Sequence, residues 1–440
     1  MQTNYLPNQP TLWRAVLTLL LLAPATLSAE VRSLDLDSAI KMAIEADPWL
    51  RGSEQMELAL TEEAVAAGSL PDPALSLTAI NVPLTSFDIG QENMTQMALG
   101  LNQQFPRGKT RALSRQQTDL LASADPLRRA DRKAMLTMSV ATLFLDAYLA
   151  QASRQLIEND RDLFEQLVDA AEAQYTSASG RARQQDLIRA QLELIRLDDR
   201  LTRLHQEQEI AQQRLAELVP DSGRQPIDTA MPNLGNGASA RLSSGPASSA
   251  ALYAQLEAHP AVLAVNRRID AVSTGTDLAR QKYRPGWGLR AQYGYRADDP
   301  AGRSRDDLLT VGLTFDLPLF RGDRQDRAVN AAVAREAAAR TDRDLLIREL
   351  VSRLASERAE LLRLEQRRDL YHDRLLPQMS QEAEASLAAY NNADGDFAEA
   401  VRARISELDT KIDALTIEVA RQQTLARIGY LLATTAPVGH

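Results

Sequence analysis

The chain has 440 residues, a net charge of −9 and no cysteine. The missing thiols exclude structural disulfides, thiolate metal sites, a thiol nucleophile and a lipidated N-terminal cysteine, and the negative charge argues against a nucleic-acid partner, whose phosphates demand a basic face. Aromatic residues make up only 5 % and charged ones 25 %, a balance that suits long helices better than a thick globular core.

In chain order, Arg14 is the only charge ahead of the apolar run Ala15 to Ala23, which Pro24 and the small-residue stretch Leu27-Ser28-Ala29 follow. That order is a secretory signal peptide cleaved after Ala29, too short to span a bilayer as a mature helix. A helix is predicted over Ser38 to Ser69. Leu75 to Val82 and Gln96 to Phe105 then alternate apolar with polar or small residues, Met97, Leu99, Leu101 and Phe105 against Gln96, Ala98, Gly100 and Asn102. Period two with one greasy and one wet face is the pattern of a half-buried strand.

From Thr110 to Gln174 the apolar period becomes helical, with an interruption expected at Asp125-Pro126. Leu149, Leu156 and Leu163 are seven apart, as are Leu187, Leu194 and Leu201 in the returning helix Arg181 to Leu218. Heptads keep a narrow seam facing a neighbour, so these segments should pack as antiparallel coiled-coil-like pairs. Val219 to Ala250, rich in Pro, Gly, Ser and Asn, reads as a linker. A helix over Ala250 to Lys282 follows. Strands then recur: Trp287, Leu289, Ala291, Tyr293 and Tyr295 alternate with Gly288, Arg290, Gln292, Gly294 and Arg296, and Leu309, Val311, Leu313, Phe315 and Leu317 alternate with Leu308, Thr310, Gly312, Thr314 and Asp316. A long helix over Arg324 to Ala389, interrupted at Leu376-Pro377, and a last one over Asp396 to Leu432 complete the chain.

The chain thus contains itself twice. Pro48, Pro73, Gly100, Leu101 and Pro106 recur 212 positions on as Pro260, Pro285, Gly312, Leu313 and Pro318, and Tyr175 and Gly180 recur 215 positions on as Tyr390 and Gly395. A repeat this long is a duplicated architecture rather than a solenoid unit. The expected division is a signal peptide at 1–29, a first repeat at 30–218 with its hairpin at 74–106, a linker at 219–250, a second repeat at 251–433 with its hairpin at 286–319, and a tail at 434–440. No run of 18 apolar residues follows the signal, so no transmembrane helix is expected, and residence in a membrane would require a β-barrel. Four strands cannot close one, because the smallest membrane barrels need eight. Three protomers would supply twelve.

The signal peptide, the duplicated helix–hairpin–helix–helix units, Pro73 and Pro285 ahead of alternating strands, and the Tyr-(x)4-Gly tips resemble the TolC-type trimeric outer-membrane efflux proteins. The segment Gly395 to Arg404, with Leu376-Pro377 upstream, resembles the heavy-metal branch of that family more than the drug branch. The resemblance implies a mainly α fold with a small β part: a homotrimer whose twelve-stranded barrel sits in outer-membrane lipid and continues into a periplasmic helical tunnel. It also implies a passive duct receiving substrate, heavy-metal cations first, from an inner-membrane pump of the RND type and a periplasmic adaptor. Multidrug efflux and type I polypeptide secretion remain alternatives, as does a structural periplasmic coiled-coil protein.

No catalytic constellation is present. His205, His259, His372 and His440 are far apart, with no His-x3-His pair, and no Gly-rich loop ends in Lys-Ser/Thr; no cofactor, metal site or enzymatic activity is expected. The sites singled out are two. Trp287, Leu289, Tyr293, Tyr295, Leu309, Val311, Leu313 and Phe315 are expected to face lipid. At the helical tips Asp186 precedes Arg189 by three residues as Glu399 precedes Arg402; in the resembled family acids at the second place ring the narrowest point of the tunnel, and Arg402 stands where another acid is common. Residues three apart share a helix face, so Glu399 and Arg402 are expected to pair within a protomer or with a neighbour and hold the tip closed.

Overall fold

The computed structural model describes residues 33–176, 184–220, 222–234, 249–392 and 396–434. The expected signal peptide, Gly180 and Gly395 of the tips, residues 235–248 of the linker and residues 435–440 of the tail lie outside the described residues.

The first helical stretch is two helices, α1 (Leu36–Ala46) and α2 (Pro48–Gly68), where a single one was expected. Proline disfavours the helical region for the residue before it, and Asp47 is extended (φ −64°, ψ 114°). Asp47 exploits the break: its carboxylate accepts the Leu50 amide at 3.0 Å to cap α2 and takes two hydrogen bonds from Arg132 at 2.9 and 2.7 Å. Strands β1 (Ala74–Ile80) and β2 (Gln96–Phe105) form the first hairpin. Helix α3 (Thr110–Ala122) leads into α4 (Asp125–Thr176), the break falling just ahead of Pro126 as the sequence implies. With 52 residues α4 is about 78 Å long, and α5 (Gln184–Leu218) returns along it.

The second half repeats this order. Helices α6 (Ser249–Glu257) and α7 (Pro260–Gln281) are again split ahead of a proline, where one helix was expected. Here the extended cap is His259, whose Nδ1 accepts the Ala261 amide at 3.3 Å while Nε2 lies 3.1 Å from the Tyr430 carbonyl. The imidazole is fully buried, and burial pushes its pKa down, in keeping with a neutral ring that accepts at one nitrogen and donates at the other. Strands β3 (Gly286–Tyr295) and β4 (Leu308–Asp316) form the second hairpin. Helix α8 (Arg327–Leu370) then runs through a π-helical turn, Tyr371–Leu375, into α9 (Leu376–Asn391). Pro377 cannot donate an amide and its ring presses on the carbonyl of Asp373; widening the turn around Asp373 absorbs both without a break. The last helix is α10 (Phe397–Leu431).

Helix α10 packs on α4, α8 and α9 and draws the two halves together. Its upper end shares a core with α6, α7 and α8 through Leu256, Leu354, Leu425 and Ile428, and its lower end meets α4 and α5 through Phe164, Leu197, Val401 and Leu408. A third core lies where α1 and residues 227–234 cross α4, around Phe144, Leu145, Leu215 and Ile227. There Leu34 forms a parallel bridge with Ile227, and the Leu234 amide donates to Gln422 at 2.9 Å. The described part of the linker is therefore a strap around the waist of the helices. Within 110–169 one helical stretch is apolar enough over 18 residues to qualify as a membrane span, contrary to the sequence expectation; in that helix Val140, Phe144 and Leu145 are spent on this core.

The heptads also need a correction of phase. In α5 the buried row at the spacing of seven is Ala190, Leu197, Leu204 and Ala211, ahead of the fully buried Leu215, with Leu187, Leu194 and Leu201 only partly buried beside it. Both rows have the spacing of seven, and burial selects the one centred on α4.

Candidate functional site

The four strands form one sheet in the order β1-β2-β3-β4, entirely antiparallel. Its register puts apolar residues in rows across the strands. Phe105, Trp287 and Phe315 share the lowest row, Leu289 and Leu313 the next, Leu75, Leu101, Ala291 and Val311 the middle, Leu77, Leu99, Tyr293 and Leu309 the fourth, and Ala79, Met97 and Tyr295 the top. Phe105 and Trp287 stack at 3.9 Å between ring centroids. All eight positions singled out from sequence lie on this face, and all are exposed, from 38 % at Leu289 to 75 % at Leu309. Aromatic rings thus flank an aliphatic middle. From the Trp287 row to the Tyr295 row is eight residues, about 20 Å of height at a tilt near 40°.

The opposite face is polar and low. Gln104 lies over Gly288, Gln96 over Gly294 and Ser76 over Gly100, each where a Cβ would collide. Asp316, at the end of β4, is ion-paired with Arg107. β1 pairs only with β2 and β4 only with β3, so both outer edges of the sheet carry unpaired backbone groups. The two loops beyond the strands are tied together: the Arg305 guanidinium donates to the carbonyls of Gly90 and Glu92 at 3.1 and 3.2 Å, and Arg296 donates to that of Asn93 at 3.4 Å.

At the far end of the molecule α10 begins at Asp396, whose carboxylate accepts the Ala398 amide at 3.3 Å. Tyr390 and Phe397 close the turn edge to face, 5.3 Å apart. The expected Glu399–Arg402 pair does not form within the protomer. Both residues are exposed, and Arg402 instead folds back to donate its Nε to the Ala398 carbonyl at 3.0 Å. Asp186 lies on α5, but its side chain is outside the described residues. The structure does bring Arg189 and Arg402 to one groove of about 500 Å3 between α5 and α10, with Glu193, Arg196, Phe397 and Val401 along its walls.

Two turns further along α10 lies a cluster that sequence reasoning missed. Glu407 is nearly fully buried, accepts from Arg404, and is 3.2 Å from Lys411, which in turn approaches Asp160 of α4 at 3.7 Å. Burial pushes the Glu407 carboxyl up, and the hydrogen bonds from Arg404 and Lys411 more than offset it, leaving the group below its ordinary value. Arg200 of α5 pairs with Asp409 beside it. The spacing Arg404-Glu407-Lys411 is a one-face ionic pattern, a signal that was present in the sequence.

No protein-family model matches the sequence, and no curated protein matches it. Solved structures do. CusC, described for conformational changes accompanying folding and transmembrane channel formation, superposes with a TM-score of 0.73 at 16 % identity, over 91 % of this chain and 92 % of that one. The outer membrane protein VceC of Vibrio cholerae gives 0.71 at 17 %, over 91 % and 97 %. The open MtrE outer membrane channel of Neisseria gonorrhoeae gives 0.70 at 15 %, over 90 % and 88 %. Long helical hairpins carrying a four-stranded sheet, matched over nine-tenths of the chain, give this protein the fold of these membrane channel proteins.

Proposed function

We propose that three copies of this chain close their sheets edge to edge, β4 of one against β1 of the next, into a twelve-stranded barrel in the outer membrane. The observation that carries this reading is the sheet: an exposed face, apolar apart from Gln103, bounded by two unpaired edges. Left open in lipid, each unpaired N–H or C=O would cost several kcal/mol; left in water, the apolar face would aggregate. Closure in a bilayer removes both costs. The eight apolar residues then face lipid, with the aromatic rows at the two interfaces.

The helical hairpins of the three protomers continue the barrel into the periplasm as a tunnel, each protomer contributing two repeats, 30–218 and 251–433, after loss of the signal peptide. We read the assembly as a passive efflux duct, working with a periplasmic adaptor and an inner-membrane pump of the RND type. Heavy-metal cations as cargo rest on the resemblance of residues 395–404. At the tips Glu399 and Arg402 are exposed and free to meet a neighbouring protomer, so the gate we assign there lies between protomers.

The test is a heat-modifiable band at three times the monomer mass in outer-membrane fractions, together with peptide tags inserted at 81–94 or 297–307. Labelling of the tags on intact cells is expected. A monomeric band, or labelling only after lysis, overturns the reading. Deletion of the gene should sensitise cells to heavy metals; sensitisation to drugs alone would reassign the cargo and leave the duct in place.

A further inference from the structure

Resting on the trimeric barrel just proposed, we infer that Arg290 is the charge filter of the barrel lumen and that the barrel favours anionic solutes. The strands place only two charged residues on the wet face, Arg290 and Asp316. Asp316 stands at the edge of the sheet and is neutralised by Arg107. Arg290 is the fifth of ten residues in β3, at mid-height and exposed, and its side chain makes no ion pair or hydrogen bond with a described residue. Its cross-strand partners are Asn102 and Gly312. A Cβ on Gly312 would meet nothing within 4 Å, so the space beside Arg290 is open. Elsewhere the wet face is low, with glutamine amides lying over Gly288 and Gly294. Arg290 is the long cationic side chain that rises from it.

Threefold symmetry turns that side chain into a ring. Twelve strands about 4.8 Å apart and tilted by about 40° give a backbone radius of about 12 Å. An extended arginine reaches roughly half of that, so every point of the lumen at this height is within one Debye length of a guanidinium at 0.1 M salt, about 10 Å. Rings of one sign in a low-dielectric wall set which ions enter. Small anions are concentrated at mid-barrel, and a cationic cargo crosses by delivery from the pump rather than by the field of the barrel.

The experiment is the reversal potential of purified protein in planar bilayers under a potassium chloride gradient, for wild type, R290Q, R290K and R290E. At about 10 mM salt, where the Debye length is about 30 Å, R290Q should lower the chloride-to-potassium permeability ratio by roughly threefold or more. R290E should lower it further, R290K should keep the wild-type ratio, and the differences should shrink at about 1 M salt, where the length is about 3 Å. An unchanged ratio in R290Q, with trimers and conductance intact, overturns this inference alone. A shift in R290K as large as that in R290Q assigns the effect to shape and overturns it as well. Absence of trimers and of conductance in the wild type overturns the duct reading and this inference with it.

Discussion

Val311 and Thr310 are neighbours on β4 that point to opposite faces of the sheet, and substituting each with arginine separates a membrane barrel from a soluble sheet. In the isolated protomer both side chains are exposed, Val311 at 64 %, so neither change removes packing, and in water each should stay within about 0.5 kcal/mol. In a barrel Val311 is in the central row, opposite Ala291 and midway between the Trp287 and Tyr295 rows. Arginine on the lipid face at the midplane costs roughly 2 to 4 kcal/mol. All three protomers carry the change, so the trimer loses roughly 6 to 12 kcal/mol. Thr310→Arg projects into the wet lumen and should lose little. Urea titration of folding into lipid vesicles, with the dissociation temperature of the trimer band beside it, reads the difference. Equal losses for the two variants would refute the assignment of faces.

The remaining predictions concern the helices. Glu407 has a folded pKa below its unfolded value of 4.5, so its stabilisation is fully present above that pH and is lost as pH falls through the folded value; Glu407→Gln should cost about 1 to 3 kcal/mol near neutrality and flatten the loss of urea stability below about pH 4.5. His259 is a base with a lowered pKa, so the folded protein binds fewer protons than the unfolded chain below pH 6.5 and loses stability as pH falls through that window. His259→Asn keeps a capping side chain without a titrating group; its thermal midpoint should therefore fall less than that of the wild type between about pH 6.5 and 5. At the tips, Glu399→Ala with Arg402→Ala should raise single-channel conductance if the two meet across protomers; unchanged conductance in intact trimers removes them from the gate.

Much of the sheet was legible because strand alternation needs only two residues to repeat, and the face a residue takes follows from its parity. Trp287 to Tyr295 and Leu309 to Phe315 could be assigned from that alone, whereas the pairing of β2 with β3 required the structure, since no local pattern links Phe105 to Trp287. Pro48 and Pro260 were visible as landmarks of the repeat, but their effect on Asp47 and His259 turns on the residue before each proline, and the helical period on both sides masked the breaks. At the tip the spacing of three between Glu399 and Arg402 was a sound reason to expect a pair. Within the protomer Arg402 instead donates to a carbonyl one turn back. Glu407 escaped notice because what buries it, and brings Lys411 to Asp160, is the packing of α10 on α4.

The seam between β2 and β3 also dictates an order of folding. The hairpin β1–β2 closes over the residues from Ile80 to Gln96, but Phe105 must wait for Trp287, with five helices among the described residues between them. As flexible loops the two closures differ by about 2 kcal/mol of entropy, and contacts so distant in sequence form slowly. Docking of the intervening helices must bring the strand ends together first. In the exported chain proposed above, half a sheet with an apolar face would wait in the periplasm until Tyr295 had crossed the inner membrane, and that intermediate would need a holding chaperone for as long as its second hairpin is missing.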